Sequence, residues 1–282
     1  MCIPCRFMLI AIGALLGVAW PSSQARANPN ALPGSEAYVY RNLSPVPLQL
    51  YVFKPEGWNS GDRRTAFIWF FGGGWETGAP HDAAPWASWA ASLGMVGVAP
   101  DYRVKSRFGT TPLEAVADGR AVVRWVEDHA VELGVDSQRI VVCGFSAGGH
   151  LALWTAINHA PPGSAPEESP RNKPTALILL SPVSDTSSYR SLGKYYAWML
   201  SPVHQLDAKM PAVLLFQGTA DPAVPYMESA TLYERLAASG NFCEFVTIKD
   251  GSHIFFRDDP AYVPKTRAIM RQFLVEQRLI AK

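Results

Sequence analysis

One stretch decides the fold: residues 139–149 read Arg-Ile-Val-Val-Cys-Gly-Phe-Ser-Ala-Gly-Gly. The first seven residues are typical of a buried strand, and the residues that follow favour a helix. Gly144, Ser146 and Gly148 form a G-x-S-x-G pattern, which in a strand–turn–helix context makes a tight turn that holds a serine above the sheet edge. The helix start supplies partial positive charge and the N–H of Ala147, both suited to an oxyanion. Ser146 is therefore the candidate nucleophile.

Strand and helix patterns alternate along the chain. The predicted strands are residues 36–41, 48–54, 65–71, 95–99, 139–145, 176–181, 212–217 and 243–248. The predicted helices are residues 83–93, 112–132, 147–158, 227–238 and 262–280. Apolar strands between helices predict an α/β fold with a mostly parallel central sheet covered on both faces, entered by an antiparallel pair. Residues 183–210 lack clear periodicity and are expected to form a small cap or none.

A histidine is the next requirement, because a serine hydroxyl is a poor nucleophile until a base takes its proton. Of the six histidines, His253 lies in a loop after the last predicted strand. His150 follows Ser146 by four residues, one helical turn deeper, and is expected to be a packed core residue. His253 is therefore the candidate base.

The base in turn needs a carboxylate that fixes its tautomer and stabilises the imidazolium. Asp221 follows the predicted strand at residues 212–217, at the carboxyl edge of a parallel sheet. Asp185 also follows a strand and is the rival candidate. Asp221 is favoured, since the order Ser146, Asp221, His253 is the one expected of α/β-hydrolases.

A glycine loop supplies the third element of the candidate site. Residues 71–75 read Phe-Gly-Gly-Gly-Trp directly after a predicted strand. Consecutive glycines let backbone N–H groups approach a substrate oxygen. A phosphate-binding loop is the alternative, but the stretch lacks the Lys-Ser/Thr ending of a P-loop. The spacing of Cys, His and Asp predicts no metal site.

Together these motifs resemble the α/β-hydrolase superfamily, and within it carboxylesterases of the hormone-sensitive-lipase and acetyl/feruloyl (xylan) esterase type. The stretches that carry the resemblance are residues 71–75, 101–103, 144–150, 218–225 and 251–253. The resemblance spans most of the chain. It implies an α/β-hydrolase fold and a serine esterase that works through an acyl-enzyme without a cofactor.

The resemblance also implies a role for each matching residue. Ser146 would be the nucleophile, His253 its general base and then acid, and Asp221 the residue that orients His253. The oxyanion donors would be the backbone N–H groups of Gly73, Gly74 and Ala147.

At one position the chain departs from the family pattern, which has a histidine before the glycines where this sequence has Phe71. A hydrogen bond that braces the loop is therefore expected to be lost. Because the donors are backbone groups, catalysis is expected to survive. Residues 101–103 (Asp-Tyr-Arg) are expected to brace the fold rather than to contact substrate.

The N-terminus has the layout of a secretory signal peptide. A short segment ending in Arg6 precedes an apolar run at residues 7–19, and residues 25–27 read Ala-Arg-Ala, an A-x-A cleavage pattern. The run is shorter than the roughly 20 residues of a membrane-spanning helix. We expect residues 1–27 to be removed, leaving a single domain at residues 28–282 that is secreted or periplasmic. Whether Cys143 and Cys243 form a disulfide cannot be decided from the sequence.

Composition excludes several classes of protein. With 48% hydrophobic and 17% charged residues, the chain can bury a sizeable core. A formal net charge of +1 gives no field to collect nucleic acid. The expected partner is a small ester or an ester-decorated polysaccharide, with Trp75 as a candidate binding residue. Trp86 and Trp89 fit helix packing equally well.

Two alternative functions remain, a serine peptidase of the prolyl-oligopeptidase type and a catalytically silent binding module. The sequence does not indicate the oligomeric state.

Overall fold

The computed structural model describes residues 32–44, 46–161, 169–189 and 194–281. The predicted signal peptide lies outside these residues. Eight strands form one sheet. They are β1 (Glu36–Arg41), β2 (Leu48–Phe53), β3 (Arg64–Phe70), β4 (Val96–Pro100), β5 (Val135–Phe145), β6 (Ala176–Leu180), β7 (Ala212–Gly218) and β8 (Cys243–Ile248).

The strand order across the sheet is β1-β2-β4-β3-β5-β6-β7-β8. β1 pairs with β2 and β2 with β4 in antiparallel fashion. All other neighbours are parallel, so the carboxyl ends of β3 to β8 share one edge of the sheet. The predicted α/β fold with an antiparallel entry is confirmed. The loops that follow these strands therefore lie at this edge, where open α/β sheets usually bind their ligands.

Helices cover the two faces of the sheet. They are α1 (Ala84–Ser92), α2 (Lys105–Phe108), α3 (Pro112–Asp128), α4 (Ala147–Thr155), α5 (Lys194–Met199), α6 (Pro202–Gln205), α7 (Tyr226–Ala238), α8 (Phe255–Asp258) and α9 (Tyr262–Glu276), with a 3₁₀ turn at Pro80–Asp82. The start of α3 shows how the sequence sets these bounds. Thr111 caps the helix, the Glu114 carboxylate accepts from the Thr111 N–H, and Pro112 occupies the first position.

Three predicted helices end at least three residues earlier in the structure than in the sequence pattern, and the one predicted for residues 147–158 ends at Thr155. The helix predicted for residues 112–132 ends at Asp128, where a ring nitrogen of His129 lies 2.9 Å from the carbonyl oxygen of Trp125. A following turn passes through Gly134 at φ 63°, a conformation that suits glycine. The helix predicted for residues 262–280 ends at Glu276. The periodicity of apolar residues alone did not predict where these helices end.

Aromatic packing joins α1 to the sheet. The rings of Trp69 on β3 and Trp86 on α1 are stacked with centroids 4.3 Å apart, and Trp89 packs edge-on against Phe67. A Cβ at Gly97 would collide with a backbone carbonyl of α1, so the helix and β4 lie in close contact. The two tryptophans of α1 therefore serve helix packing, not substrate binding.

The expected cap over residues 183–210 is small. In the part that the structure describes, this segment carries α5 and α6, and of its residues Val183 and Tyr189 line the cleft above the sheet. Cys143 and Cys243 are free thiols, which settles the open disulfide question. No helix among the described residues is long and apolar enough to cross a membrane.

Candidate active site

Ser146 lies in a strained turn between β5 and α4. Its backbone has φ 54° and ψ −119°, an unusual conformation for a residue with a side chain. The turn closes tightly because a Cβ at Gly144 would collide with the Gly148 carbonyl, and one at Gly148 with the backbone at the end of β3. Ser146 N donates to the Leu180 carbonyl on β6, 3.0 Å away. The sequence pattern thus presents the Ser146 hydroxyl at the sheet edge.

Three side chains from three different loops meet at this point. The Nε2 atom of His253 lies 3.0 Å from the Oγ of Ser146. The Nδ1 atom of His253 lies 2.8 Å from the Oδ2 of Asp221. The structure thereby brings together the three residues that the sequence singled out, across 107 and 32 positions of chain. This geometry lets His253 take a proton from Ser146 while Asp221 holds its other nitrogen.

Both oxygens of the Asp221 carboxylate accept hydrogen bonds. Its Oδ1 accepts the N–H groups of Ala223 and Val224, and its Oδ2 also accepts the Nε2 of Gln217 at 2.7 Å. Burial alone would raise the pKa of Asp221, but the hydrogen bonds from His253 and from the backbone N–H groups outweigh it and hold that pKa below its usual value. Asp221 is therefore ionised and fixed in orientation.

Gln217 is a residue that sequence reasoning missed. It is fully buried at the end of β7, and the hydroxyl of Ser229 on α7 donates to its Oε1 at 2.8 Å. Its amide also donates to the Val224 carbonyl. A polar residue ending an otherwise apolar strand, Ala212–Gly218, was the available signal. Gln217 positions Asp221 from behind.

Glu228 is a second carboxylate in this region. It accepts the N–H of Asp185 at 3.3 Å and lies on α7, which follows the Asp221 loop. Burial, reinforced by the negative charges of Asp185 and Asp221, raises the pKa of Glu228 to about 7. A group that changes charge near neutral pH thus lies beside the candidate site.

The rival candidates are placed elsewhere. Asp185 accepts from the Ser201 hydroxyl and lies 3.7 Å from the Nε2 of His204, so it pairs away from His253. His150 is fully buried, with Nε2 2.8 Å from the Leu200 carbonyl, and burial lowers its pKa to about 4. The expectation that His150 is a core residue is confirmed.

The glycine loop faces the Ser146 hydroxyl across the cleft. Among the described residues, no acceptor is found for the N–H groups of Gly73 and Gly74. Both residues line the same cleft as Ser146, and Ala147 is the first residue of α4, where a helix leaves N–H groups without an internal partner. The N–H groups of Gly73 and Gly74 therefore border the cleft that Ser146 lines, and Ala147 follows Ser146 directly.

Phe71, the departure from the family pattern, is buried and packs against Tyr102. The stacked rings replace the bracing hydrogen bond that a histidine was expected to give. Arg103 forms a two-pronged ion pair with Asp118, and Arg107 pairs with Asp101. As expected, residues 101–103 brace the fold.

The cleft above these groups has a volume of about 700 Å³. Trp75 and Tyr189 form one side, with ring centroids 5.8 Å apart, and separate it from a second cleft of about 360 Å³. Trp75 is only 4% exposed because it also packs edge-on against His150. Among the described residues, no group of three or more His, Cys, Asp or Glu side chains is placed to hold a metal ion.

A comparison with solved structures decides the family. Esterase 2 of the planctomycete Thermogutta terrifontis superposes with a TM-score of 0.82 at 37% sequence identity, over 88% of this chain and 94% of that one. The chain belongs to the esterases of the α/β-hydrolase superfamily. Structures of that esterase also include propionate-bound and butyrate-bound forms and a form phosphorylated by paraoxon.

Two family models and several curated relatives match parts of the chain. The BD-FAE model matches residues 50–162, and the model described as the prolyl oligopeptidase family matches residues 178–278. The ester hydrolase LipM of Mycobacterium tuberculosis is 26% identical over 73% of the chain and 52% of its own length. Carboxylesterase NlhH of the same species is 33% identical over 42% of the chain and 35% of its own length. The chain thus spans about half, or less, of these curated relatives.

Proposed function

We propose that this protein is a serine hydrolase that cleaves carboxylic esters, with Ser146, His253 and Asp221 as its catalytic residues. The observation that carries the proposal is the hydrogen-bonded series from the Ser146 hydroxyl through both nitrogens of His253 to Asp221. Membership of the esterases and the paraoxon-phosphorylated form of the Thermogutta enzyme support it.

The chemistry follows from the positions of these atoms. His253 Nε2 takes the Ser146 proton as Oγ attacks the ester carbonyl, and Asp221 stabilises the imidazolium. The N–H groups at Gly73, Gly74 and Ala147 stabilise the negative charge on the carbonyl oxygen.

Collapse of this intermediate breaks the bond to the alcohol, which leaves with the proton of His253, and an acyl-enzyme remains on Ser146. A water molecule then gives a proton to His253 and its oxygen to the acyl carbon. The acid is released, and the proton returns to Ser146.

Short acyl chains are the substrate class that we propose. The Thermogutta esterase has been solved with propionate and with butyrate, and its fold aligns with nearly all of this chain. Acetyl or feruloyl groups on a plant polysaccharide are the finer proposal, supported by the predicted signal peptide and by the BD-FAE match. The same signal supports export to the periplasm or the medium.

A peptidase is the second candidate, because the prolyl oligopeptidase model matches the part of the chain that holds Asp221 and His253. The two activities share one nucleophile and differ in leaving group. Matched p-nitrophenyl esters and p-nitroanilides of the same acyl group therefore separate them. We expect turnover of acetate and butyrate esters and at least about 10³-fold slower turnover of the anilides; the reverse order would favour the peptidase.

The test of the proposed function is the hydrolysis of p-nitrophenyl butyrate by the full chain and by Ser146→Ala. We expect kcat to fall by at least about 10⁴-fold, as for the loss of other serine nucleophiles. Ser92→Ala, at the exposed end of α1, is the matched control and should keep full activity. Equal rates for wild type and Ser146→Ala would overturn the proposal. Release of acetate or ferulate from xylan tests the polysaccharide substrate separately.

A further inference from the structure

One wall of the catalytic cleft differs in chemistry from the rest. Most of the cleft is lined by backbone and by apolar or aromatic side chains, but His81 and the ion pair of Asp82 and Arg257 form a polar wall on one side. The 3₁₀ turn at Pro80–Asp82 contributes the first two, and α8 contributes Arg257. The Nη2 atom of Arg257 lies 3.3 Å from Oδ1 of Asp82, so the pair joins two separate segments across the rim.

In this wall, Arg257 has hydrogen-bond donors left for a ligand. Oδ1 of Asp82 accepts from Arg257, and its Oδ2 accepts the N–H of Ala79 at 3.4 Å. A guanidinium has five N–H groups, and only one of them is taken by that contact. The Arg257 side chain is 52% exposed, against 29% for Asp82. Among the described residues that line the cleft, Asp82 is the one carboxylate, so it is the one acidic group that competes for Arg257 there.

Arg257 also lies on a definite side of the reaction. A series of ring contacts connects it to His253: the guanidinium is 5.9 Å from the ring of the buried Phe256, Phe256 is 5.0 Å from Phe145, and Phe145 is 4.8 Å from the His253 ring. In the proposed mechanism His253 gives its proton to the departing alcohol. The oxygen of the departing alcohol must therefore lie beside His253, the catalytic residue that these ring contacts link to Arg257.

We propose that Arg257 binds a carboxylate carried by the alcohol half of the substrate, so that the preferred leaving groups are hydroxy acids. The inference rests on the proposed esterase function and names the substrate class of that site. A guanidinium pairs with carboxylates through parallel N–H donors, and the Phe145 ring, which lines the cleft, suits the carbon chain between the ester and the acid. Asp82 holds Arg257 in place until the substrate carboxylate binds.

The experiment compares two butyrate esters with the full chain at neutral pH. One is 3-(butyryloxy)propanoate, which carries a carboxylate on the alcohol half; the other is its neutral counterpart, 3-methylbutyl butyrate. The quantity measured is the ratio of kcat/KM for the anionic ester to that for the neutral ester. Comparing this ratio between variants cancels the intrinsic reactivity of the two leaving groups.

In Arg257→Gln we expect the ratio to fall about five- to tenfold, the size expected of a half-exposed charged hydrogen bond. In Asp82→Asn we expect it to rise, since the competing carboxylate is removed. Arg271→Gln, at an exposed position on α9, is the matched control and should keep the wild-type ratio. Monoethyl glutarate, which carries its carboxylate on the acyl half, should show no dependence on Arg257 relative to ethyl butyrate.

An unchanged ratio in Arg257→Gln, or a ratio that does not rise in Asp82→Asn, would overturn the inference and would make the ion pair only a brace across the cleft. If Arg257→Gln does not fold, Asp82→Asn alone decides the question. Failure of the proposed esterase function has a different signature, because the wild-type chain would then leave even the neutral ester intact.

Discussion

Phe71 and Tyr102 form a stacked pair, with ring centroids 4.0 Å apart and planes inclined by 14°, and the Tyr102 hydroxyl donates to the Phe71 carbonyl at 2.8 Å. Both side chains are almost fully buried. Phe71 immediately precedes the glycine loop, so this pair fixes the base of the loop that faces Ser146. A ring stack and one hydrogen bond thus do the bracing that the sequence pattern assigns to a histidine.

The pair predicts a graded loss of stability. Phe71→Ala removes a buried ring and should lower the free energy of unfolding by about 3–5 kcal/mol. Tyr102→Phe keeps the stack but leaves the Phe71 carbonyl without its donor, and should cost about 1–2 kcal/mol. Urea denaturation of both variants measures this order. A larger loss in Tyr102→Phe than in Phe71→Ala would show that the hydrogen bond, not the stack, holds the loop.

Two neighbouring glycines should respond differently to the same substitution. Gly73 has φ 125°, and a Cβ there would collide with the Thr77 carbonyl, so the loop must shift in Gly73→Ala. Gly74 has φ 61° and open space around its Cβ position, so Gly74→Ala brings only modest strain. We expect kcat to fall about 10²-fold or more in Gly73→Ala, as for the loss of an oxyanion donor, and less than tenfold in Gly74→Ala. Equal kcat values would remove the oxyanion role from Gly73.

Gln217 should matter for turnover more than for binding. In Gln217→Leu, Asp221 loses one of its hydrogen bonds and the freedom of its carboxylate increases. We expect kcat to fall about tenfold while KM stays within twofold, since Gln217 does not line the cleft. Ser229→Ala is the matched control, because it removes the hydrogen bond to Oε1 of Gln217 and leaves the bond to Asp221 in place. A rise in KM with unchanged kcat would contradict a positioning role.

Glu228 should make stability depend on pH. Because its pKa is about 7 in the folded chain and near 4.5 when unfolded, Glu228 binds a proton more tightly in the folded state. Its stabilising contribution is complete below the unfolded pKa and is lost as pH rises through the folded pKa. Because Gln does not ionise, Glu228→Gln should not lose stability in this way as pH rises.

Thermal unfolding at about pH 5 and about pH 8 measures the effect. The melting temperature of Glu228→Gln relative to wild type should rise by about 7 °C between the two pH values, which corresponds to about 2.5 kcal/mol for a chain of this size. Glu234→Gln, exposed on the same helix, should show no such change. A constant difference for Glu228→Gln would mean that its carboxylate is solvated.

Much of the fold was predictable because buried parallel strands are continuous apolar runs. The predicted bounds of β1 and β8 match the structure, and the glycine and proline breaks locate the loops. β5 was predicted to start at residue 139, yet it starts at Val135. Three of the four added residues, at positions 136–138, are polar, and an irregularity in the pairing with β3 separates the added residues from the apolar part, so periodicity did not include them.

Some residues of the candidate site could be predicted from local sequence motifs, whereas the role of others depends on tertiary packing. The G-x-S-x-G turn and the loop positions of Asp221 and His253 are local features, and the shared sheet edge brings them together. Gln217 and Arg257 carry no local motif; their relevance comes from which loops pack beside them. Short helices such as α5 and α8 were missed because fewer than eight residues give too little periodicity to detect.

The most direct test of the central claim is the site of covalent labelling by a fluorophosphonate, read by intact mass and peptide mapping. The account predicts one adduct per chain, on Ser146, that is absent in Ser146→Ala and forms at least about 10²-fold more slowly in His253→Gln. The result that would contradict it is an unlabelled Ser146 in wild type, or an adduct on another residue that persists in Ser146→Ala together with ester hydrolysis.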